Sequence, residues 1–349
     1  MGKKITIQHI ADYLGVSKYV VSRALAGKSG VKEETRIKVL DTAKKLGYNT
    51  NGQFFNSPNQ MQNESHLKTG QQNVLVVLPK SQYQDSMYWG RIIDGVSSEL
   101  SELNLGMVII TETDQFTSII NPEGFLGIIC VGKLSTAVLL EFKKWGIPVV
   151  LIDYEEPLFN TDTIFANNYD SSFKLTNYLI GLGHQNLKFV GNINFSRSFY
   201  DRWLGFRSAI EYHGLPINHQ VNLLNTGEDF KTLFTNIKKW LEQVVQLGSH
   251  ELPTTFVCAN DSIAIYVIEI LKELEVKIPE EISVTGFDNI DNSYLQSPTL
   301  TTIHVPKEQM GKRAVRSIVD QKSRKKENFE KILLTCELIV RESSSRAKS

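Results

Sequence analysis

The chain opens on short amphipathic stretches and then changes its period. In TIQHIADYL the apolar Ile7, Ile10, Ala11 and Leu14 recur at helical spacing behind Thr6, a suitable N-cap. Gly15 can end that helix in the left-handed conformation. Ser17 can then cap a second helix, SKYVVSRALAG, whose Val20, Val21, Ala24 and Leu25 share one face. A third helix is expected in KEETRIKVLDTAKKLGY, with Ile37, Leu40, Ala43 and Leu46 as its buried stripe. Two helices joined by so short a turn and braced by a third make a helix-turn-helix layout.

From Asn49 to Asn73 the chain reads NTNGQFFNSPNQMQNESHLKTGQQN, the composition of a linker. Beyond it, continuous apolar runs such as VLVVLP, LGIICVG, IPVVLID, LKFVGN, TFVCAND and ISVTGFD alternate with amphipathic helical patterns. Apolar runs without polar alternation, spaced by helices, predict parallel strands covered on both faces. The fold class expected is α/β: a three-helix head plus a body of two doubly wound parallel-sheet subdomains. Ligand is then expected in the crevice at the carboxyl ends of the strands.

Charge sharpens this division. The net charge is zero, yet residues 1–48 hold ten Lys/Arg against four acids, and the remainder is acidic by the same margin of six. A basic head on an acidic body points to a polyanionic partner for the head, against the plainer reading of a solvated lysine-rich hairpin. If the second helix enters a major groove, Lys18, Tyr19 and Arg23 reach base edges. Thr6, Ser17, Ser22 and Thr35 then offer hydroxyls to phosphates.

The three cysteines sit in apolar runs and read as buried thiols, and the seven histidines show no metal spacing. His184, after Gly183, is placed to bond the last carbonyls of its helix. No hydrolase elbow or phosphate-cradling glycine motif occurs, so no catalytic residue, cofactor or metal is expected. The N-terminus has no apolar signal stretch and no run is long enough to span a membrane; a cytoplasmic protein is expected.

The stretch TIQHIADYLGVSKYVVSRALAGKSGVKEETRIKVLDTAKKLGY resembles the headpiece of LacI/GalR-family transcription regulators. NVLVVLP, GIPVVLID, LIGLGHQNLKFVGN, DRWLGFRSAI, VCANDSIAI and PEEISVTGFDNI resemble, in order, that family's periplasmic-binding-protein-like effector domain. The resemblance implies a repressor acting on double-stranded operator DNA as a homodimer or tetramer, controlled by a sugar-like effector between the subdomains. It implies operator readout by Lys18, Tyr19 and Arg23, and effector contacts at Asp153, Arg202, Asn260 and Asp288. Tyr88, Trp89 and Phe230 are candidate rings for stacking on a sugar. The plainer alternatives are helix caps or ion pairs for the carboxylates and core packing for Trp89.

The expected organisation is a head over 1–48, a linker over 49–72, an effector and dimerisation domain over 73–343 and a tail over 344–349. Within the body, one subdomain takes 73–167 and 306–330, the other 168–305 and 331–343. Two departures from the family pattern stand out. The hinge helix, roughly Asn-x-x-Ala-Arg-x-Leu, is missing: its alanine falls on Phe54 and its leucine on Ser57, ahead of Pro58. Phe54 or Phe55 can replace the leucine as a minor-groove wedge, or can pack on the body. The helix after MVIITETDQ is also cut short, to FTSIIN. Two rival functions, a sugar receptor without DNA binding and an α/β enzyme using the cleft acids, lack respectively the secretion signal and a catalytic motif.

Overall fold

In the computed structural model, Ser17 starts the second helix, α1 (Lys18–Leu25), with its Oγ accepting the Val20 amide at 3.3 Å. The structure describes residues 11, 14, 16–25, 31–32, 35–39, 42, 73–83, 86–112, 120–225, 230–248, 251–323 and 328–348. Thr6, Phe54, Phe55, the 49–72 linker and the shortened 113–119 segment lie outside them. The chain divides into two units, 1–68 and 69–349. In the first, Val21, Ala24 and Leu25 of α1 pack with Ala11 and Val39. Of the stripe expected on the third helix only Ile37 lies among the described residues, and it is turned outward. Val39 and Thr42 are buried while Ile37 is 48% exposed, because Ile37 lies two residues, about 200°, away from Val39 around the helix.

The body strands are β1 (Asn73–Leu78), β2 (Gly106–Thr111), β3 (Phe125–Val131), β4 (Val149–Ile152), β5 (Asp162–Ala166), β6 (Leu187–Val190), β7 (Leu223–Leu224), β8 (Thr255–Cys258), β9 (Ser283–Thr285), β10 (Thr302–His304), β11 (Lys331–Leu334) and β12 (Glu337–Ile339). Its long helices are α2 (Arg91–Glu102), α3 (Thr136–Trp145), α4 (Asn168–Gly181), α5 (Arg197–Tyr212), α6 (Phe230–Leu247), α7 (Asp261–Glu273) and α8 (Lys307–Ser323). One lobe is a six-stranded parallel sheet in the order β11-β5-β4-β3-β1-β2. The other is a parallel sheet in the order β7-β6-β8-β9. The chain passes between them after β5, after β10 and after β11, and β10 pairs antiparallel with β12 along the crossings.

Both faces of β1 are covered, which is why its sequence is apolar without a break. Val74, Val76 and Leu78 pack with Ile92 and Val96 of α2 and Met310 and Ile318 of α8. Leu75 and Val77 pack with Leu139 and Phe142 of α3 on the other side. The edge strands are less covered: Val108 and Ile109 of β2 are each 36% exposed, and Leu333 of β11 54%. Helices α2 and α8 meet backbone to backbone. A Cβ on Gly95 would lie 2.0 Å from the Glu308 carbonyl oxygen, and one on Gly311 2.1 Å from that of Ile92. This close approach fixes the start of α2, next to Tyr88, against the start of α8 at Lys307.

Two boundaries differ from expectation. Residues 331–334, expected in the second lobe, form β11 and pair with β5 in the first. Asp162, wholly buried on β5, completes that edge by accepting bonds from Ser317 Oγ (3.1 Å), Gln321 Nε2 (2.9 Å) and the Glu330 amide (2.8 Å). The segment after 343 is also no free tail, since Ala347 N bonds Leu182 O at 3.0 Å and Ser344 Oγ meets Tyr178 OH at 3.2 Å. The His184 imidazole meets that segment and Thr254 rather than the last carbonyls of its helix: Nε2 is 3.0 Å from Ser345 O and Nδ1 3.0 Å from Thr254 Oγ1.

Candidate functional site

The head presents one apolar and one polar face. With Val21, Ala24 and Leu25 turned inward, Lys18, Tyr19 and Ser22 are exposed, Tyr19 at 66%. Arg23, one turn on, donates from Nη1 to Tyr19 Oη at 2.9 Å and lies 5.5 Å from the ring centroid. The i, i+4 spacing makes one unit of the two residues. Thr35 is half-buried at the start of the described part of the third helix.

In the body, strand ends from both lobes deliver polar side chains to one place. Asp153 follows β4 with φ +57°, and Asp288 and Asn289 follow β9 with φ +110° and +51°. Such conformations are uncommon for residues with a Cβ and collect at functional sites. Asp153 accepts a bond from Tyr88 Oη at 3.4 Å, and from Ser198 Oγ of the second lobe at 2.5 Å. Beneath this, Arg202 is 2% exposed and its fork is distributed three ways. Nη2 meets Asp288 Oδ1 at 3.0 Å, Nε meets Asn168 Oδ1 at 2.9 Å, and Nη1 meets the Ala259 carbonyl at 2.6 Å. The guanidinium also lies 3.8 Å from the Phe287 ring centroid. Buried Lys307 holds the Asp288 carbonyl at 2.5 Å and sits 5.9 Å from the Tyr88 ring. At the rim, Arg91 of the first lobe pairs with Asp291 of the second at 3.3 Å.

Burial dominates the ionisation of this cluster. It raises Asp153 to about 6, opposed by the Ser198 hydrogen bond and by Arg202. It raises Tyr88 well above the ordinary phenol value, aided by Asp153, and lowers Lys307, opposed by Asp288 and Asp261. Between the ordinary 3.8 and about 6, the folded protein keeps a proton on Asp153 that the unfolded chain has released. Stability from this group therefore falls as pH rises through that window and is level above it. Asp153→Asn should remove the slope. The check is the urea midpoint of wild type minus that of the variant across the window; a flat difference means that Asp153 ionises at its ordinary value.

Of the residues expected in the cleft, the structure gathers Tyr88, Asp153, Arg202 and Asp288. Asn260 instead caps α7, its Oδ1 accepting the Ile263 amide at 3.0 Å. Trp89 is partly buried against the main core, edge-on to Tyr88 at 4.8 Å. Phe230 opens α6, and its side chain lies outside the described structure. Asp261 is wholly buried, accepting Thr302 Oγ1 at 2.5 Å and the Ile290 amide at 2.9 Å, and so braces the loop that carries Asp288. Burial, then Asp288, pushes its pKa up to about 8.

Sequence reading missed Ser198 and Lys307. Ser198 lies four residues before Arg202, on the same helix face. Lys307 is a cation in the first turn of a helix, where the dipole disfavours one, and that misplacement is a signal.

Comparison with known proteins bears on both units. Residues 6–51 match the family described as bacterial regulatory proteins, lacI family, and residues 176–344 match the periplasmic binding protein-like domain. The chain joins a LacI-family helix-turn-helix domain to a periplasmic-binding-protein-like domain. Its relatives span nearly its whole length. The HTH-type transcriptional regulator DegA of Bacillus subtilis is 26% identical, with 98% of each chain covered. The HTH-type transcriptional repressor PurR of Haemophilus influenzae is 27% identical over 97% of this chain and 98% of that one.

Solved LacI-family folds agree. A CelR–cellobiose complex superposes with TM-score 0.68 at 20% identity, over 97% of this chain and 99% of that one. The lac repressor dimer bound to operator and the anti-inducer ONPF gives 0.65 at 19%, over 98% and 100%. A LacI-family regulator from Enterococcus faecium with bound ribose gives 0.67 at 24%, over 79% and 100%. In its domain makeup the chain is a DNA-binding transcriptional regulator. Among its described residues no helix is long and apolar enough to cross a membrane.

Proposed function

We propose that the protein is an operator-binding repressor, acting as a homodimer, whose body closes on a small neutral polyhydroxyl effector, a sugar or sugar derivative. The observation that carries the DNA reading is the first turn of α1, which buries Val21 and leaves Lys18 and Tyr19 outward. Lys18, Tyr19 and Arg23 read base edges, and Ser17, Ser22, Thr35 and Thr6 hold phosphates. A single head buries too little surface for strong specificity, so two heads on a two-fold site suit the affinity such regulators need.

The effector reading rests on chemistry that both lobes bring together. Asp153 and Asp288 accept hydrogen bonds, while Tyr88 and Ser198 can donate or accept, which matches vicinal hydroxyls better than an anion. The ribose and cellobiose held by two structural neighbours support the same class. Effector that binds one arrangement of the lobes more tightly shifts the protein toward it, and operator affinity follows through linkage. The cleft acids lie in binding and bracing roles, and the reading is of a regulator rather than an enzyme.

Two measurements test this. Operator affinity should fall with salt, the log–log slope reporting roughly 0.9 per phosphate neutralised. A flat plot would remove the head from its role. A thermal-shift screen should find stabilisation by neutral sugars and none by the matching sugar phosphates; stabilisation by the phosphates alone would reverse the effector class.

A further inference from the structure

Away from the cleft, a cavity of about 250 Å³ opens on the flank of the first crossing between the lobes. Phe165, Leu204, Leu333 and Tyr169 give it an apolar lining, and Arg197 and Lys331 give it positive charge. Leu333 is 54% and Tyr169 40% exposed, so the fold leaves this apolar surface open. The volume falls below that of sites for drug-sized ligands, which restricts the occupant to a small molecule.

The chain itself shows which chemistry fits the charged end. Glu155, on the loop after β4, places one carboxylate between both cations: Oε1 takes Arg197 Nη1 at 2.5 Å and Oε2 takes Lys331 Nζ. Arg197 also gives its Nε to Asp201, another lining residue, at 2.7 Å. The Arg197–Glu155 pair joins the second lobe to the first. It is also half-exposed, and pairs of that kind are weak enough to exchange with a competing carboxylate.

We propose that this cavity is a second binding site, for a small carboxylate with an apolar body, whose carboxylate replaces that of Glu155 between Arg197 and Lys331. The body of the ligand lies on Leu204, Leu333 and Phe165. Binding there exchanges the Glu155 link for one through the ligand, which spans Arg197 and Leu204 of the second lobe and Lys331, Leu333 and Phe165 of the first, and it borders Asn168, whose side chain holds Arg202. The ligand thereby ties the two lobes in one arrangement on the flank of the cleft. The site shares none of Tyr88, Asp153, Arg202 or Asp288, so it stands or falls separately from the sugar reading, which the thermal-shift screen scores.

Hexanoate is the probe, titrated calorimetrically into the full chain, with hexan-1-ol and acetate as partners lacking the charge or the body. Hexanoate should bind, and each control should bind much more weakly. Leu204→Trp, which fills the cavity, should abolish binding, and Lys331→Gln, at a half-exposed position, should weaken it without a folding defect. Glu155→Gln removes the competing charge and should tighten hexanoate about two- to fivefold. Absence of hexanoate binding, binding indifferent to both Leu204→Trp and Lys331→Gln, or weaker binding in Glu155→Gln overturns the proposal.

Discussion

Arg202→Ala is expected to destabilise the body by about 3–5 kcal/mol, because it strands a buried carboxylate. Asp288 is 7% exposed and pairs with Arg202 Nη2, and the same guanidinium serves Asn168 and the Ala259 carbonyl. Alanine removes all three bonds and the stack on Phe287. Arg202→Lys should fall between, since an ammonium has no planar fork to span three partners. Urea unfolding of the full chain measures both. The decisive comparison is Arg202→Met combined with Asp288→Leu, which should recover most of the stability lost in Arg202→Ala by removing the stranded charge as well. A single-variant loss below about 1 kcal/mol, the range of ordinary surface changes, would mean that the network carries no such strain.

Tyr19→Ala should relax operator choice by about 1–3 kcal/mol at the bases it faces, the scale of one good base contact. The effect includes Arg23, which rests against the Tyr19 ring and hydroxyl. Tyr19→Phe separates the parts: it keeps the ring and deletes the hydrogen bond, so it should reproduce only some of the loss. Competition binding against operators with single base changes reads this directly. If the order of preference among those operators is the same in Tyr19→Ala as in wild type, base readout by this residue is refuted. A uniform weakening on every sequence would instead make Tyr19 a phosphate contact.

What could be read from the chain was what is locally encoded. β1, β3 and β4 announce themselves because both their faces are buried, so beyond Asn73 no position is polar. The cap at Ser17 and the apolar side of α1 follow from spacing within a few residues. The misses are tertiary. KILL at 331–334 has alternating exposure and only four residues, and its partner strand lies at 163–166, so nothing nearby marks it as a sheet edge. The third helix offers two apolar phases, and packing against α1 chooses Val39 over Ile37. In the cleft, carboxylates at strand ends were visible, but which of them would cap a helix was not. Asn260 turned to the Ile263 amide, while Lys307, far along the sequence, took a place beside Tyr88.

The late pairing of β11 with β5 also governs how the molecule can be made. A ribosome releases β5 when less than half the chain exists, yet the hydroxyl, amide and backbone N–H that satisfy Asp162 arrive with residues 317, 321 and 330. Until then that carboxylate and the open side of the strand have only water or a chaperone to meet them. The first lobe to be synthesised is accordingly completed only after the strands of the second exist. A stop codon at position 329, removing only the last twenty-one of these residues, would spare the head and most of the body's sequence and still leave that lobe without its outermost strand.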